Sequence, residues 1–419
     1  YAMGRAHPSF LRQLRSVKFF LVCCMSFAFF LHMVHLARQD QTVVTKRLDQ
    51  EAAKNSNISN VSKYNNRPLK DFKYMLLWTE SNYAPFYYFG EGQNAFLKNN
   101  CSVTKCYVTS KRNFFGGDLT KFDAIAFNGR NMNPSDLPKV RSQHQKYIFF
   151  SMESADNYPV CKEQFEGFFN WTSTYRLDSD IPYPYILIRD DKGKIVGPKQ
   201  DMQWKQEVGD EFDRKKNKTK AAAVFMSHCT TRSGRHRHVR ELNRALKKYG
   251  LAVDVYGMCG ALRCPTKNES FCNNKLKREY YFYMSMENSF DKDYVTEKLL
   301  MAVQHDVVPI VFGGADYSRF LPPGSYVNSR THRASQLAAM IDYLIHSPDE
   351  YNQYFWWKHY YTYHNPVMVE NVCAVCEALH DKKMLQNITI YEDFRKWWHP
   401  QYKHRLSSTP PGERRISVR

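Results

Sequence analysis

The chain has 419 residues, 43% of them apolar and 15% aromatic, enough to bury a large core across two domains. Its formal net charge of +19 invites a nucleic-acid partner. The Lys and Arg residues are spread along the chain, however, and the aromatics sit inside apolar runs instead of alternating with cations. No nucleic acid is therefore expected, and a solvated basic surface near anionic membranes or ligands fits better.

Phe19–Ala37 is a run of nineteen residues without Asp, Glu, Lys or Arg. As a helix it spans about 28 Å, close to the hydrocarbon thickness of a bilayer. Arg5, Arg12, Arg15 and Lys18 precede it, while Arg38 and Asp40 follow and nearly cancel. The positive-inside rule then makes residues 1–18 a cytosolic tail, 19–37 a transmembrane signal-anchor, and the rest luminal, in a single-pass type II arrangement. A cleaved signal peptide is the competing reading, but the run is long for one and no small-x-small site follows. Residues 38–70 are polar without an apolar period and read as a flexible stem.

The folded part begins at Asp71. Strand-like runs at Lys73–Thr79, Phe122–Asn128, Lys146–Met152 and Phe168–Tyr175 alternate with helix or loop material, the pattern of an α/β domain over residues 71–203. Glu153 follows the third run. A carboxylate at the carboxyl end of a strand points into a cleft and suits a base, although spacing alone fits a helix cap as well. Asp178-Ser179-Asp180, and later Asp291-Lys292-Asp293, match the D-x-D pattern that holds divalent ions, but such triplets are frequent by chance. Asp190–Lys220 is rich in charge and Gly and reads as an interdomain connection.

A second α/β domain, residues 204–395, opens with strand Ala221–Met226. A helix from about His236 to Tyr249 carries Val239, Leu242, Ala245, Leu246 and Tyr249 on one face and stops at Gly250, a natural C′ residue. Arg235 opens it, placing a guanidinium where it can pair with phosphate; Arg232 and Arg237 are alternatives in the same basic turn. Strand Leu251–Tyr256 follows, and Asn268–Lys277 reads as a Cys-bearing loop.

Tyr280–Tyr317 is the most informative stretch. It reads as strand Tyr280–Glu287, loop Asn288–Asp293, helix Tyr294–Gln304 and strand Val307–Phe312 ending in Gly313-Gly314, which is one βαβ unit. The N-terminus of such a helix offers unpaired N–H groups to an anion, and Lys298 in its first turn adds a full charge. A phosphate-bearing donor is the first expectation. A structural crossover with a solvated Glu297-Lys298 pair is the alternative. Beyond it, Gln336–Ile345 and the aromatic-rich Tyr351–Tyr363 read as helices, and 396–419 as a basic tail.

Nine cysteines follow the membrane run: Cys101, Cys106, Cys161, Cys229, Cys259, Cys264, Cys272, Cys373 and Cys376. An odd number leaves at least one thiol free or paired between chains. A zinc site is disfavoured, because the pairs lie too far apart for a small ribbon and a luminal compartment favours disulfides. Seven N-x-S/T acceptors, at Asn57, Asn60, Asn100, Asn170, Asn217, Asn268 and Asn387, fit a secretory-pathway glycoprotein.

Glu287-Asn288-Ser289, then Asp293-Tyr294-Val295-Thr296-Glu297-Lys298, then Val308-Pro309-Ile310 closely resembles the donor-binding signature of the α1,3-fucosyltransferases, glycosyltransferase family 10. The resemblance covers roughly residues 72–380. It implies a GT-B-like α/β architecture of two Rossmann-like domains facing a cleft, behind the transmembrane helix and stem. Residues 71–203 would take the acceptor and 204–395 would bind GDP-fucose. Phe149–Ser154 resembles the family segment that bears the base, which assigns that role to Glu153, with Ala155 replacing a common Pro. Ser227–Arg235 resembles the motif of core-type and invertebrate members, with His228 where Asn is usual.

By the same resemblance Arg235 and Lys298 hold the diphosphate, Glu297 contacts the fucose, and Asn288 and Tyr294 line the donor pocket. Cys373 and Cys376 would pair with Cys101 and Cys106 and tie the two domains together; a bond within Cys373-x-x-Cys376 is the alternative. The implied reaction is inverting α1,3 transfer of L-fucose from GDP-β-L-fucose to the 3-hydroxyl of N-acetylglucosamine in glycoprotein N-glycans. The implied place is the Golgi membrane, with the catalytic domain luminal. No cofactor would be essential, a divalent metal stimulating at most. A catalytically inactive luminal carbohydrate- or GDP-fucose-binding protein of the same fold is the rival reading, and core and antennal acceptors stay open.

Overall fold

Four of the five strands of the first sheet are the apolar runs read from the sequence. The computed structural model describes residues 69–400 apart from 70, 206–217, 265–268 and 388. The membrane run, the stem, the basic tail beyond residue 400 and the sequons at Asn57, Asn60, Asn217 and Asn268 lie outside the described residues. Among the described residues no helix is long and apolar enough to cross a membrane.

The first sheet contains β1 (Lys73–Leu77), β2 (Cys106–Thr109), β3 (Ala124–Asn128), β4 (Lys146–Ser151) and β5 (Trp171–Thr174), all parallel in the order β2-β1-β3-β4-β5. Parallel strands covered on both faces read as continuous apolar runs, and β3 and β4 are buried throughout. The short edge strand β2, Cys-Tyr-Val-Thr, carries too little pattern to be read from the sequence. A hairpin of β6 (Leu187–Asp190) and β7 (Ile195–Gly197) follows.

The second sheet is built from β8 (Lys220–Phe225), helix α1 (Arg235–Leu246), β9 (Val253–Tyr256), helix α2 (Glu269–Glu279), β10 (Tyr280–Met286), helix α3 (Glu297–Val303), β11 (Val308–Phe312), β12 (Val327–Asn328) and helix α4 (Ala334–His346). Its strands are parallel in the order β12-β11-β10-β8-β9, with β10 central and wholly buried. Helix α1 buries Val239, Leu242 and Leu246 and its capping turn ends at Gly250 in the left-handed region, as its pattern predicts. Both sheets lie within the single unit that begins at Leu69, so the two-sheet arrangement facing a shared cavity, described below, fits the expected GT-B plan.

Three element expectations change. The Cys-bearing loop at Asn268–Lys277 is largely helix α2. Helix α3 starts at Glu297 instead of Tyr294, because Tyr294 and Val295 are pulled into the cores beneath the first sheet and the small hairpin. The run Tyr351–Tyr363 breaks: Tyr361–His364 is strand β13, with alternate residues buried, and pairs antiparallel with β6. Aromatic richness concealed that period of two.

After β13 the chain returns to the first sheet. Helix α5 (Glu370–His380) packs Val372, Val375 and Leu379 against Met75, Val108 and Ala124, and helix α6 (Phe394–Trp398) covers the other face beside Phe149 and Phe169. The late part of residues 204–395 therefore packs on the N-terminal side. Cys101–Cys373 and Cys106–Cys376 are bonded, as the resemblance implies. They staple α5 to the sheet that it covers, so they close the N-terminal layer onto the returning chain instead of spanning the cleft.

Candidate active site

Glu153 sits just past the carboxyl end of β4. Its Oε1 accepts from the Ser154 backbone N–H at 2.9 Å, the Asn157 amide at 3.0 Å and the Tyr294 hydroxyl at 2.6 Å. No protein donor reaches Oε2 among the described residues, so one oxygen is anchored and the other is available. The buried Ala155, where a Pro is common in the resembled family, uses its N–H to bond the Tyr175 hydroxyl at 3.3 Å, a bond that Pro would forgo.

Facing it, the end of β10 delivers Glu287, which is almost fully buried. Its carboxylate accepts the Thr296 N–H at 2.9 Å and the Thr296 hydroxyl at 2.9 and 3.0 Å, and pairs with the Lys298 ammonium at 3.2 Å. The expected free N–H groups at the start of α3 are thus partly occupied from within. What this turn presents to a ligand is the Lys298 side chain. Lys298 also pairs with Glu297 at 3.1 Å. Burial opposes its charge, but Glu287 and Glu297 outweigh burial and hold the ammonium above its ordinary range. Burial pushes the Glu287 carboxyl up against the pull of Lys298, whereas at Glu297 the same lysine prevails over burial and holds the carboxyl down.

Arg235 opens α1 after Gly234, whose left-handed backbone (φ 67°) turns the chain into the helix. The guanidinium is buried; Nη1 donates to the Met286 carbonyl at 2.8 Å and Nη2 to that of His228 at 3.4 Å, while Nε has no partner. Burial pulls its pKa down. A buried donor without an acceptor is costly, and an anion would satisfy it. The alternatives Arg232 and Arg237 are placed elsewhere: Arg232 lines a separate cavity with Asp156, Asp291 and His399, and Arg237 is exposed beside Glu241.

Glu153, Arg235, Asn288, Tyr294, Glu297 and Lys298 line one cavity of about 400 Å³, together with Tyr185, Phe225, Ser227, His228, Tyr283 and Met301. All six residues singled out from the sequence therefore converge. The Glu153 carboxylate comes from one sheet and the Arg235 and Lys298 cations from the other, a disposition that suits group transfer from a diphosphate.

Two family models match the chain: "Fucosyltransferase, N-terminal" over residues 70–186 and "Glycosyltransferase family 10 (fucosyltransferase) C-term" over 215–397. Alpha-(1,3)-fucosyltransferase C of Drosophila melanogaster is 35% identical over 79% of this chain and 79% of its own length. The chain belongs to glycosyltransferase family 10. Glycoprotein 3-alpha-L-fucosyltransferase A of the same fly is 30% identical over 74% of this chain and 57% of its own length. A solved structure of an α1,3-fucosyltransferase with GDP-fucose aligns at 16% identity and a TM-score of 0.45, covering 77% of this chain and 92% of that one, too slight a likeness to argue from.

In this family-10 glycosyltransferase the D-x-D carboxylates are engaged within the protein. Asp178 pairs with Arg176 and Lys292, both at 2.7 Å, and Asp180 accepts from Thr172 and Tyr391. Asp291 accepts the Asp156 N–H, and Asp293 pairs with Arg319. The one cluster of metal-type ligands among the described residues is Cys106, Cys376 and His380, and its two sulfurs are joined to each other. Cys229–Cys259 and Cys264–Cys272 are also bonded, and Cys161 is the unpaired ninth cysteine.

One of the seven sequons is buried in the fold. Asn170 is buried; its amide donates to the Thr389 carbonyl at 3.0 Å and its oxygen accepts the Tyr147 N–H at 2.9 Å, so it is a structural residue and no glycan fits there. Asn100 and Asn387 are exposed. Sequence reasoning missed Glu287 as an organiser of the donor side, although it begins the very string that carries the resemblance. It also missed Asn157, which bears no motif and acts through a contact visible only in the fold.

Proposed function

We propose that this chain is an inverting α1,3-fucosyltransferase using GDP-β-L-fucose. The observation that carries the reading is the shared cavity, with Glu153 Oε2 available on one wall and Arg235 and Lys298 on the other. Glu153 takes the proton of an N-acetylglucosamine 3-hydroxyl as that oxygen bonds to the anomeric carbon of fucose. The bond from that carbon to the diphosphate oxygen breaks, and GDP leaves with the electron pair. Arg235, with its unpartnered buried Nε, and Lys298 neutralise the departing charge, the preorganised electrostatic stabilisation that such transfers rely on. Glu297 lies beside the sugar and favours its developing positive charge. Attack from the side opposite GDP turns the β-linkage into an α-linkage.

The glycoprotein acceptor accords with the name of the second fly protein, and α-linkage to a 3-position with the names of both. Two fixed cations make an essential metal unnecessary. The Golgi membrane, with the catalytic domain luminal, is proposed from the charge asymmetry about residues 19–37, and four disulfides accord with an oxidising lumen.

The test is Glu153→Gln, which keeps shape and removes the base. General-base catalysis supplies about 10²–10⁴ in rate, so kcat is expected to fall in that range while GDP binding is retained. Transfer at an undiminished rate would sink the assignment of the base. GDP-fucose binding without turnover by the unaltered protein on any N-glycan acceptor would favour an inactive binding protein.

A further inference from the structure

Tyr294 belongs by sequence to the donor side, three residues before Glu297. It borders the cavity, yet its ring is 2% exposed and packs in the aromatic core of the first sheet, edge-on to Tyr175 with centroids 4.8 Å apart. From that core it presents its hydroxyl to Glu153 Oε1 at 2.6 Å. Asn157 approaches the same oxygen from the base's own loop, and that loop is folded on itself by the Asn157 N–H donating to Ser154.

The two loops are joined at further points. The Ser289 hydroxyl donates to the Ser154 hydroxyl at 2.6 Å in a buried contact, and the Asp156 N–H donates to Asp291 at 3.0 Å. Asp293 accepts the Leu177 N–H at 3.3 Å. Residues 289–294 are thus sewn to residues 153–157, and the same segment runs directly into Glu297 and Lys298. Three donors on one carboxylate oxygen fix rotation of the group and leave Oε2 as the oxygen offered to a substrate.

We propose that Tyr294 and Asn157 are positioning residues for the base, holding Glu153 with Oε2 toward the acceptor hydroxyl. Tyr294 thereby makes base alignment depend on the loop that carries the donor-side groups. Its place in the cavity lining is thus also a place beside the base, and the role assigned to its hydroxyl there is orientation of Glu153. The proposal rests on the assignment of Glu153 as base.

The experiment compares Tyr294→Phe, Asn157→Ala, Glu153→Gln and the Tyr294→Phe/Glu153→Gln double variant, with kcat, donor KM and the GDP dissociation constant measured for each. Misplacing a catalytic group by about an ångström costs on the order of a hundredfold. Tyr294→Phe is therefore expected to lower kcat by about ten- to a hundredfold with donor KM and GDP affinity within twofold, and Asn157→Ala to act in the same way but less. On the Glu153→Gln background, Tyr294→Phe is expected to cost nothing further, a readout that a merely structural tyrosine would not give. An unchanged kcat in Tyr294→Phe, a loss carried by donor KM or GDP affinity, or a full multiplicative loss on Glu153→Gln would each overturn the proposal. If Glu153→Gln alone kept full activity, the base assignment itself would fall, an outcome distinct from these.

Discussion

Glu287 and Lys298 form a largely buried ion pair, 3.2 Å between carboxylate oxygen and ammonium nitrogen, in which the carboxylate also accepts from Thr296 at the entry to the helix whose second residue is Lys298. A cation kept for a ligand is thus held in place by an internal anion, and stability and donor binding share one contact.

Lys298→Ala should therefore fail in two ways. It removes the charge that the proposed mechanism sets against the diphosphate, and it strands Glu287, at a cost of roughly 3–5 kcal/mol when a buried pair loses one partner. Lys298→Ala/Glu287→Gln is expected to recover most of that stability, since Gln can still accept from Thr296, without recovering GDP affinity. Urea denaturation and GDP calorimetry on the same samples separate the two effects. The pH dependence has a definite sign. Burial holds the Glu287 carboxyl above its usual range, so above that range the folded state keeps a proton that the unfolded chain has lost, and its contribution to stability falls as pH rises through the raised value. Without Lys298 that fall should steepen.

The two disulfides on α5 are expected to back each other up. Each closes a loop of about 270 residues, at sequence separations of 272 and 270. With either intact, the other closes only a small ring through 101–106 and 373–376. Chain-entropy reasoning then gives roughly 2–3 kcal/mol for Cys101→Ser/Cys373→Ser alone and about 5 kcal/mol more once Cys106 and Cys376 are also replaced. Denaturant midpoints of the three proteins check this, and equal, additive losses would contradict it.

Much of this fold was legible because its strands are buried on both faces. Ala221–Met226 and Val307–Phe312 are apolar without interruption, Tyr280–Met286 is broken only by Ser285, and the period of α1 and its Gly250 stop are unambiguous. The six site residues were readable through the family segments: Glu153 and Asn288 follow strand ends, Arg235, Glu297 and Lys298 stand in the first turn of a helix, and Tyr294 lies in the loop between. What escaped was set by partners distant in sequence. Tyr294 looks helical until the first sheet captures its ring. Asn157 acquires its part only when Glu153 folds back on it, and the late helices show no sign of which sheet they will cover.

Asn170 makes a sharp prediction for glycan mapping. Its side chain satisfies the Tyr147 N–H and the Thr389 carbonyl inside the protein, so a molecule glycosylated there cannot close β4 against the returning chain. Peptide mass spectrometry after enzymatic deglycosylation in ¹⁸O water should find Asn170 unmodified in active protein. Asn170→Ala should cost about 1–3 kcal/mol by leaving a buried N–H unpaired. An active population carrying a glycan at Asn170 would refute the structural role.

The D-x-D triplets predict how the enzyme responds to chelation and to acid. A carboxylate recruited by a divalent ion must give up its present partners, and here those are charged: Arg176 and Lys292 for Asp178, Arg319 for Asp293. Burial alone would raise the Asp178 carboxyl, but Arg176 and Lys292 prevail and hold it at about 2. Removing metal with EDTA is accordingly expected to leave transfer within about twofold of the untreated rate, since in the proposed mechanism Arg235 and Lys298 supply the positive charge at the leaving group. Total loss of activity restored by Mn²⁺ would show the opposite. Asp178→Asn should instead act on stability, because a carboxyl lowered in the folded state contributes above its unfolded value and loses that contribution as pH falls toward 2. The variant should be less stable at neutral pH and show a shallower decline in acid than the parent, with its metal response unchanged; a selective change in Mn²⁺ response would assign Asp178 to a metal after all.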